Sequence, residues 1–531
     1  MELLLIFISI ALSLFSTAVM SYITMATPIG PWIEPTLVLL ATIIFRLFSR
    51  VIEPKKFTLS LALSTFCASI GGILATGFGF SFPTLYFLAP NLFNSWLSRP
   101  FFFCSILSIC AFVAGCFAFL VAGFFQDKLL NEEKMAFPVG QMVSKMIMAQ
   151  NQMRKSLELV FGIIITTVYL FLQKIYKIIP QTFCLIAKTT AAKINFPSIL
   201  LRLDQMPMLI AIGFITGHVI AKPLAVGLFS KLFLINPLHQ FYFPKLSNED
   251  FMMAFASGLT LYGAIMGFLD LPKRIKKSLS KAKNNKFDFF TYKLSKTFIL
   301  SALIILSFSI ALLSYFKFSI LGQIYLLALS FICTYQLMLI AGEMGIAPVG
   351  RFATYVMVPG MLIFGFNFVQ ATLTALFIEV SGGVASDIMF GRKMAQISNI
   401  DQRKMIAYQW LGLLISSLSI GFIFYFLINY FGLGSYQLFA QKAQSRALLI
   451  NFTSFNIYAL VLGIIFSIIL TYIRVNPVLV LGGLLMQIDY SLMLILGGLL
   501  TYFVKEKEDY YPFWSGVFAA NSIWMFLRTL I

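Results

Sequence analysis

The sequence predicts an all-α polytopic membrane protein, and three observations predict it. First, 60% of the 531 residues are hydrophobic and 11% are charged, with a mean hydropathy of +0.90. A soluble globular chain carries about 25% charged residues. Second, many apolar runs reach roughly 18 to 25 residues, the length that crosses a bilayer as a helix. Third, the runs lack the short alternating pattern of a membrane β-barrel, so their backbone groups must be satisfied within helices.

The apolar runs predict about 14 to 16 transmembrane segments, several of them short and including broken or re-entrant helices. The first run lacks a basic leader and a small-x-small cleavage site, so we interpret it as a retained transmembrane helix. The runs fall near 2–23, 35–49, 57–78, 101–125, 157–179, 206–220, 222–237, 250–270, 297–316, 319–341, 353–366, 368–386, 405–430, 446–473, 476–503 and 512–530.

The chain is interpreted as one transmembrane transporter domain, residues 1–531, with approximate halves 1–240 and 241–531. A basic loop at 271–296 carries nine Lys or Arg residues against one Asp, and the positive-inside rule places it in the cytoplasm. The net charge of +19 is therefore attributed to topology and to contact with the lipid bilayer, and nucleic acid is excluded as a partner. The membrane side of the basic stretch 174–202 stays open.

Signatures of enzymes and of bound metals are missing from the sequence. It contains no G-x-x-x-x-G-K-[ST] and no H-E-x-x-H, which excludes an ATP-driven motor and an intramembrane metalloprotease of those types. The six cysteines form no C-x-x-C pair, and the two histidines are isolated, so no metal site is predicted. The sequence predicts a protein that is not an enzyme and has no cofactor, with an ion gradient as its energy source.

A Pro-x-Gly element recurs among the apolar runs. AFPVGQ places it at Pro138 and Gly140, IAPVGRF at Pro348 and Gly350, and TPIGP near the start at 27–31. Proline removes a backbone donor and glycine permits a sharp bend, so each element predicts a helix break. Breaks in corresponding parts of two halves point to the substrate site of a secondary transporter. Phe137, beside the first P-V-G, is included in that predicted site.

Ionisable and amide side chains within apolar runs supply the remaining candidates. Buried carboxylates can load and release protons, so Glu343 and Glu379 are predicted to couple transport to protons. Asp387, Asp489 and His218 are weaker candidates for the same role. Polar side chains at Asn367 and Gln370 are predicted to contact substrate, with helix-to-helix hydrogen bonding as the alternative.

Several motifs, taken in order, resemble the oligopeptide transporter family, whose relatives include the yellow-stripe-like carriers of metal–chelator complexes. KMAFPVGQMVSKMI resembles the family's L-x-F-P-S-G-x-A-x-A motif, and GIAPVGRF and NFVQATLTA resemble segments of its later half. STFCASIGGILATGFGFSFPTLYFL resembles an early stretch, and the Gly-rich closing helices after residue 476 resemble the family's last pair.

The most specific match is the family's D-x-K-x-G motif and the R-x5-Q-x2-G spacing that follows it. The matching residues, predicted to shape a cytoplasmic gate or loop, are Asp387, Gly391, Arg403, Gln409 and Gly412. The chain departs from the pattern at Val139, Met389 and Gln402, where the family has Ser, Lys and Pro. These departures put the substrate in doubt more than the fold.

The resemblance implies a proton-coupled importer of short oligopeptides that works by alternating access between two pseudo-symmetric halves. An importer of metal–chelator or siderophore complexes is the alternative, because both substrates are polar and bear carboxylates. A passive channel is disfavoured by the number of helices in one chain. The expected location is a cell membrane, of the bacterial inner-membrane kind given the Lys-, Ile- and Phe-rich usage. The resemblance also leaves a homodimer open.

Overall fold

The structure, a computed structural model, describes most of the chain. The described residues are 2–27, 30, 33–47, 54–148, 153–176, 182–187, 199–204, 207–248, 250–259, 261–262, 296–344, 347–435, 437–451, 456–475, 477–485, 488–505 and 507–530. The predicted basic loop 271–296 lies outside this part of the chain, apart from its last residue.

Helices make up nearly all of the described structure. Those before the predicted basic loop are α1 Glu2–Ala26, α2 Glu34–Leu47, α3 Pro54–Ser81, α4 Thr84–Leu88, α5 Pro90–Leu97, α6 Pro100–Asp127, α7 Pro138–Met148, α8 Met153–Leu170, α9 Pro207–Thr216, α10 His218–Ser230, α11 Asn236–Tyr242 and α12 Asp250–Leu259. Those after it are α13 Lys296–Tyr315, α14 Ile320–Met344, α15 Val349–Phe364, α16 Phe368–Ile397, α17 Gln402–Phe431, α18 Gln441–Ile450, α19 Ile457–Tyr472, α20 Pro477–Leu485, α21 Ile488–Leu500 and α22 Tyr511–Leu530.

The predicted all-α polytopic membrane fold is confirmed. In the described residues, seven helices are long and apolar enough to cross a membrane, and six further apolar helices are shorter. Among the long helices, the apolar stretch of α16 is buried along its whole length, whereas only 17% of the residues in the apolar stretch of α13 are buried. A hydrophobic helix that the protein does not cover belongs against lipid, so α13 is a peripheral helix and α16 a central one.

One short hairpin is the only strand structure in the described residues. Strand β1, Thr182–Ala187, pairs antiparallel with β2, Ile199–Asp204. It overlaps the basic stretch 174–202, which the sequence left without an assigned side. The two strands are short and mostly apolar, so periodicity did not distinguish them from helix.

The chain folds into two compact units that interleave along the sequence. The first comprises residues 1–149, 262–433 and 442–450, and the second comprises 150–261, 434–441 and 451–531. Each unit therefore combines one segment from the first part of the chain with segments from the second part. An internal duplication would produce this division if the first part of each repeat folded into one unit and the second part of each repeat folded into the other.

Packing in the first unit follows the pattern of an internal duplication. Helices α3 and α16 pack against each other at its centre. Helices α1 and α2 pack on α3, and in the same way α14 and α15 pack on α16. The fourth helix of each set packs on the central helix of the other set, since α17 contacts α3 and α6 contacts α16. Exchanging α1, α2, α3 and α6 with α14, α15, α16 and α17 reproduces the same set of contacts.

A Gly-Gly pair at the middle of each central helix supports this correspondence. A side chain at Gly72 of α3 would collide with Ile33, just before α2, and one at Gly383 of α16 would contact Val349, at the start of α15. The glycine at Gly72 lets α2 approach α3 closely. The division of the chain into halves 1–240 and 241–531 stays a prediction.

The second unit shows the same exchange and is held by glycine contacts. Its helices pack in four pairs, in each of which a glycine on one helix meets the backbone of the other. Small residues of this kind let membrane helices pack closely without a hydrophobic driving force between them. The pairs are α8 with α22 at Gly162 and Gly516, α9 with α21 at Gly213 and Gly497, α10 with α20 at Gly227 and Gly483, and α12 with α19 at Gly258 and Gly463.

Candidate functional site

The first P-V-G stretch begins a helix instead of breaking one. Pro138 is the first residue of α7, where its missing N–H costs no hydrogen bond. Phe137 precedes it with a φ of 44°, in the left-handed region, and its backbone N–H donates to the carbonyl of Gly342 at 2.9 Å. Its ring is fully buried and faces Phe390 on α16, with ring centroids 6.1 Å apart. This stretch therefore anchors α7 between α14 and α16.

Gly140 completes that anchor. A Cβ at this position would overlap the carbonyl oxygen of Phe390 on α16. The glycine is required because two helix backbones meet there, which is a packing requirement. A substrate role for Phe137, Pro138 and Gly140 stays a prediction.

The second P-V-G stretch lies directly against a buried carboxylate. Pro348 precedes α15, and Gly350 lies in its first turn. A Cβ at Gly350 would lie 3.2 Å from Oε1 of Glu379, which is fully buried on α16. The first turn of a helix favours a negative charge nearby, because its N–H groups have no partners within the helix.

Glu379 is held by a buried network of three side chains. The guanidinium of Arg446, on α18, donates from Nη2 to Glu379 Oε1 at 2.5 Å and from Nη1 to Ser81 Oγ at 2.9 Å. The Ser81 hydroxyl in turn donates to Glu379 Oε2, and Arg446 Nη1 also reaches the carbonyl of Phe80 at 3.1 Å. Arg446 is only 6% exposed, so this is a buried ion pair in which both carboxylate oxygens are satisfied. Four elements, α3, α15, α16 and α18, meet here.

Two further cations lie beside this pair. The ammonium of Lys442, one turn before Arg446, lies 4.2 Å from the centre of the buried Phe80 ring. Lys442 interacts electrostatically with Glu379, Arg446 and Arg351. Because Arg446 already neutralises Glu379, Lys442 and Arg351 leave an excess of positive charge. Lys442 is half-buried and Arg351 is exposed, so the excess extends from the buried pair to the surface of this unit.

Asn367 and Gln370 form the cap at the start of α16. The Asn367 side chain accepts from the backbone N–H of Gln370 at 2.9 Å, and the Gln370 side chain accepts from the backbone N–H of Asn367 at 3.0 Å. The Gln370 amide also donates to the carbonyls of Phe316 and Lys317. Such a reciprocal pair is a capping box, and it occupies the side-chain oxygens of both residues. Contact of these two residues with substrate stays a prediction.

The side chain of Glu343, near the end of α14, lies outside the described part of the structure. Its predicted coupling role is therefore not placed relative to Glu379.

All five residues of the predicted gate or loop motif lie in helices, and their role as a gate stays a prediction. Asp387 and Gly391 are buried in α16, and Gln409 and Gly412 are buried in α17. The side-chain amide of Gln409 donates to the carbonyl of Ile388 at 3.0 Å. A Cβ at Gly412 would overlap the backbone carbonyl of Cys67 on α3. The spacing of the motif thus reflects packing among α3, α16 and α17. Only Arg403, at the exposed start of α17, adjoins a turn.

The structure also holds a pair of buried acids, of which the sequence named Asp387 but not Glu34. Glu34, the first residue of α2, is 8% exposed, and Asp387 is 2% exposed. The two carboxyl groups lie within hydrogen-bonding reach of each other, and Asp387 Oδ2 accepts from the hydroxyl of Ser69 at 2.6 Å. Glu34 was overlooked because E-P-T at the edge of an apolar run resembles an ordinary helix start. Its position three residues after T-P-I-G-P was the available signal.

Metal ligation by the protein has no support among the described residues, which contain no group of three or more His, Cys, Asp or Glu side chains placed to hold an ion.

Comparison with known proteins gives one family. The family model described as "OPT oligopeptide transporter protein" matches residues 3–520, nearly the whole chain. No curated protein matches the chain.

Proposed function

Because the chain belongs to the oligopeptide transporter family, a family of transporters and not of enzymes, we propose that it imports short oligopeptides together with protons by alternating access. The multi-pass membrane fold accommodates this activity. We also propose that the membrane is a cell membrane, of the bacterial inner-membrane kind.

The observation that carries the peptide proposal is the positive excess beside the second P-V-G stretch. A peptide at neutral pH ends in a carboxylate, and it needs a site whose own cations are not already neutralised. Arg446 is paired with Glu379, whereas Lys442 lies beside this pair and interacts electrostatically with it and with Arg351. We propose that Lys442 receives the peptide carboxylate and that the first turn of α15 at Gly350 helps to hold it.

Alternating access is supported by the exchange of helix partners between the repeats. Carriers built from repeats bind substrate near the repeat interface and switch by moving one group of helices against another. The buried Glu379 joins one helix of the first repeat, α3, to α15, α16 and α18 of the second. A site that spans both repeats is placed to respond when they move.

A metal–chelate or siderophore substrate is the second candidate. Such complexes carry several carboxylates, and the excess of positive charge that suits a peptide terminus suits them as well. In that case the chelator holds the metal, and the protein contacts the chelator. The metal is then cargo and not a resident cofactor.

Transport currents test both candidates. We would reconstitute the protein in liposomes and record currents on a solid-supported membrane under an inward proton gradient. The ligands would be tetraalanine, its C-terminal amide and a ferric chelate. Current with tetraalanine but little with the amide supports the peptide proposal. Current with the chelate alone supports the second candidate, and no current with any ligand in folded protein contradicts both.

A matched pair of lysine variants tests the site itself. Lys442→Met removes the half-buried cation, and Lys404→Met removes an exposed lysine at the start of α17. We expect the first to raise the KM for tetraalanine about tenfold, equivalent to about 1.4 kcal/mol, and to change the KM for the amide little. Lys442 is excluded as the carboxylate contact if Lys442→Met and Lys404→Met change the KM for tetraalanine equally. It is also excluded if Lys442→Met changes the KM for tetraalanine and for its amide equally.

A further inference from the structure

We propose that Glu34 and Asp387 form the proton-binding site of the carrier, sharing one proton that is taken up on one side of the membrane and released on the other. This inference rests on the proposed function, since it names the groups that perform its proton coupling. Asp387 was a weaker coupling candidate in the sequence, after Glu343 and Glu379, whereas Glu34 was not a candidate.

The geometry of the pair calls for a proton. Both side chains are more than nine-tenths buried, and each has one oxygen with no hydrogen-bond donor among the described residues: Oε2 of Glu34 and Oδ1 of Asp387. The other oxygen of Asp387 is taken by Ser69. A proton on either carboxyl supplies the missing donor. Without it, two negative charges lie together in a buried place, which is a costly arrangement.

No cation among the described side chains is paired with Glu34 or Asp387. Against α2 and α16 pack α1, α3, α4, α6, α7, α14, α15 and α17, and α18 contacts α16 through Arg446. The charged residues of these elements, besides the pair itself, are Glu2, Arg46, Lys55, Lys56, Asp127, Lys145, Glu343, Arg351, Glu379, Arg392, Lys393, Arg403, Lys404, Lys442 and Arg446, the last being paired with Glu379. The side chains of Lys55, Lys56, Lys145 and Glu343 lie outside the described part.

Among the described side chains, the only charge that acts on Asp387 is that of Glu34. The nearest cation along α16, Arg392, is turned to Gln126, to which it donates at 2.7 Å, and to Asp127. Arg46 lies twelve residues from Glu34 along α2, about 18 Å at the rise of an α-helix. The pair is therefore surrounded differently from Glu379, which has its own arginine.

The position of the pair links it to the proposed substrate site. Asp387 and Glu379 lie eight residues apart on α16, about 12 Å along the helix axis. Glu34 begins α2, whose counterpart in the second repeat is α15, the helix that carries Gly350. Movement of α2 relative to α16 would separate the carboxyls, and a separated pair can release its shared proton. A displacement of α16 would act on both sites at once.

The test uses two transport modes that differ in whether they need proton movement. Glu34→Gln and Asp387→Asn replace each acid by a group of the same shape that does not titrate. In proteoliposomes we expect both variants to exchange peptide across the membrane at near wild-type rates. We expect both to lose at least about tenfold of the accumulation driven by an inward proton gradient. Glu2→Gln, an exposed carboxylate on α1, is the control and should accumulate peptide normally.

The outcomes separate this inference from the proposed function. Wild-type protein that accumulates neither peptide nor chelate with a proton gradient contradicts the proposed function. Coupled wild-type protein with coupled Glu34→Gln and Asp387→Asn variants contradicts the inference alone. Accumulation that follows a sodium gradient, and that Asp387→Asn abolishes, also contradicts it, because the pair would then bind a metal cation.

Infrared difference spectroscopy provides a readout that needs neither transport nor a known substrate. Purified wild-type protein titrated across neutral pH should show the C=O stretch of a buried protonated carboxyl. That band should shift or disappear in both Glu34→Gln and Asp387→Asn and stay unchanged in Glu2→Gln. If no such band exists in the wild-type protein, or if it is unchanged in either Glu34→Gln or Asp387→Asn, the inference is wrong even where a variant folds poorly.

Discussion

Glu379 and Asp387 are both buried acids on the central helix α16, yet their neighbours carry opposite charge. Glu379 is bonded to Arg446 and Ser81, with further cations beside it. Asp387 has Ser69 and a second acid, Glu34. The neighbours of a buried carboxylate therefore decide which role we propose for it. The cationic partner of Glu379 suits a structural or ligand-binding role, whereas the acidic partner of Asp387 suits the proton-binding role proposed above.

Removing the arginine should produce the largest effect on stability. Arg446→Met leaves Glu379 buried without its partner, which we expect to lower the free energy of unfolding by about 3–5 kcal/mol. Thermal unfolding in detergent measures the change. The double variant Arg446→Met with Glu379→Leu removes both charges and should recover most of the loss. A single variant as stable as the wild type would show that the pair is not held as described.

Adding one methyl group at the helix contact of the first P-V-G stretch should have the next largest effect. Gly140→Ala pushes a Cβ into the backbone of α16 at Phe390, and we expect a loss of about 1–3 kcal/mol. Gly123→Ala is the matched control, because a Cβ there would meet only Phe298 at 3.4 Å. If the two variants unfold at the same temperature, Gly140 is not a packing residue.

Breaking the cap of α16 tests whether Asn367 is structural. Asn367→Ala removes the side-chain acceptor of the Gln370 N–H, and we expect it to cost about 1 kcal/mol while leaving the KM for peptide unchanged. Asn367→Asp keeps an acceptor and should retain stability. A raised KM in both variants at wild-type stability would instead support the predicted contact with substrate.

Neutralising the acid pair should change stability least. Asp387→Asn keeps an acceptor for Ser69 and an amide N–H in place of the shared proton, so we expect the free energy of unfolding to change by less than about 1 kcal/mol. The same melting experiment used for Arg446→Met measures it. A loss as large as that of Arg446→Met would mean that Asp387 has an unrecognised cationic partner.

The sequence was sufficient for the fold class, since long apolar runs leave few alternatives in lipid. It also identified Glu379, because an acid inside an apolar run is rare. It did not identify Arg446, which lies in the polar stretch QKAQSRA and resembles a surface residue until α18 is packed against α16. Asn367 and Gln370 show the opposite case. Their N-x-x-Q spacing is a capping signal that the search for substrate contacts passed over.

The packing of the gate or loop motif could not be predicted for a related reason. A sequence pattern records spacing but not which face of a helix each residue occupies, so the contact of Gly412 with the backbone of α3 was not foreseen. Contacts between repeats, such as that of Glu34 with Asp387, join residues more than 350 positions apart. No local periodicity encodes them.

The most direct test of the account compares one variant from each region in the same assay. Peptide exchange and proton-driven accumulation would be measured side by side for Lys442→Met and Asp387→Asn in proteoliposomes. The account predicts that, at peptide concentrations near the wild-type KM, Lys442→Met reduces both activities, whereas Asp387→Asn abolishes accumulation and spares exchange. If the two variants lose the same activities, the separation of substrate and proton sites along α16 is contradicted.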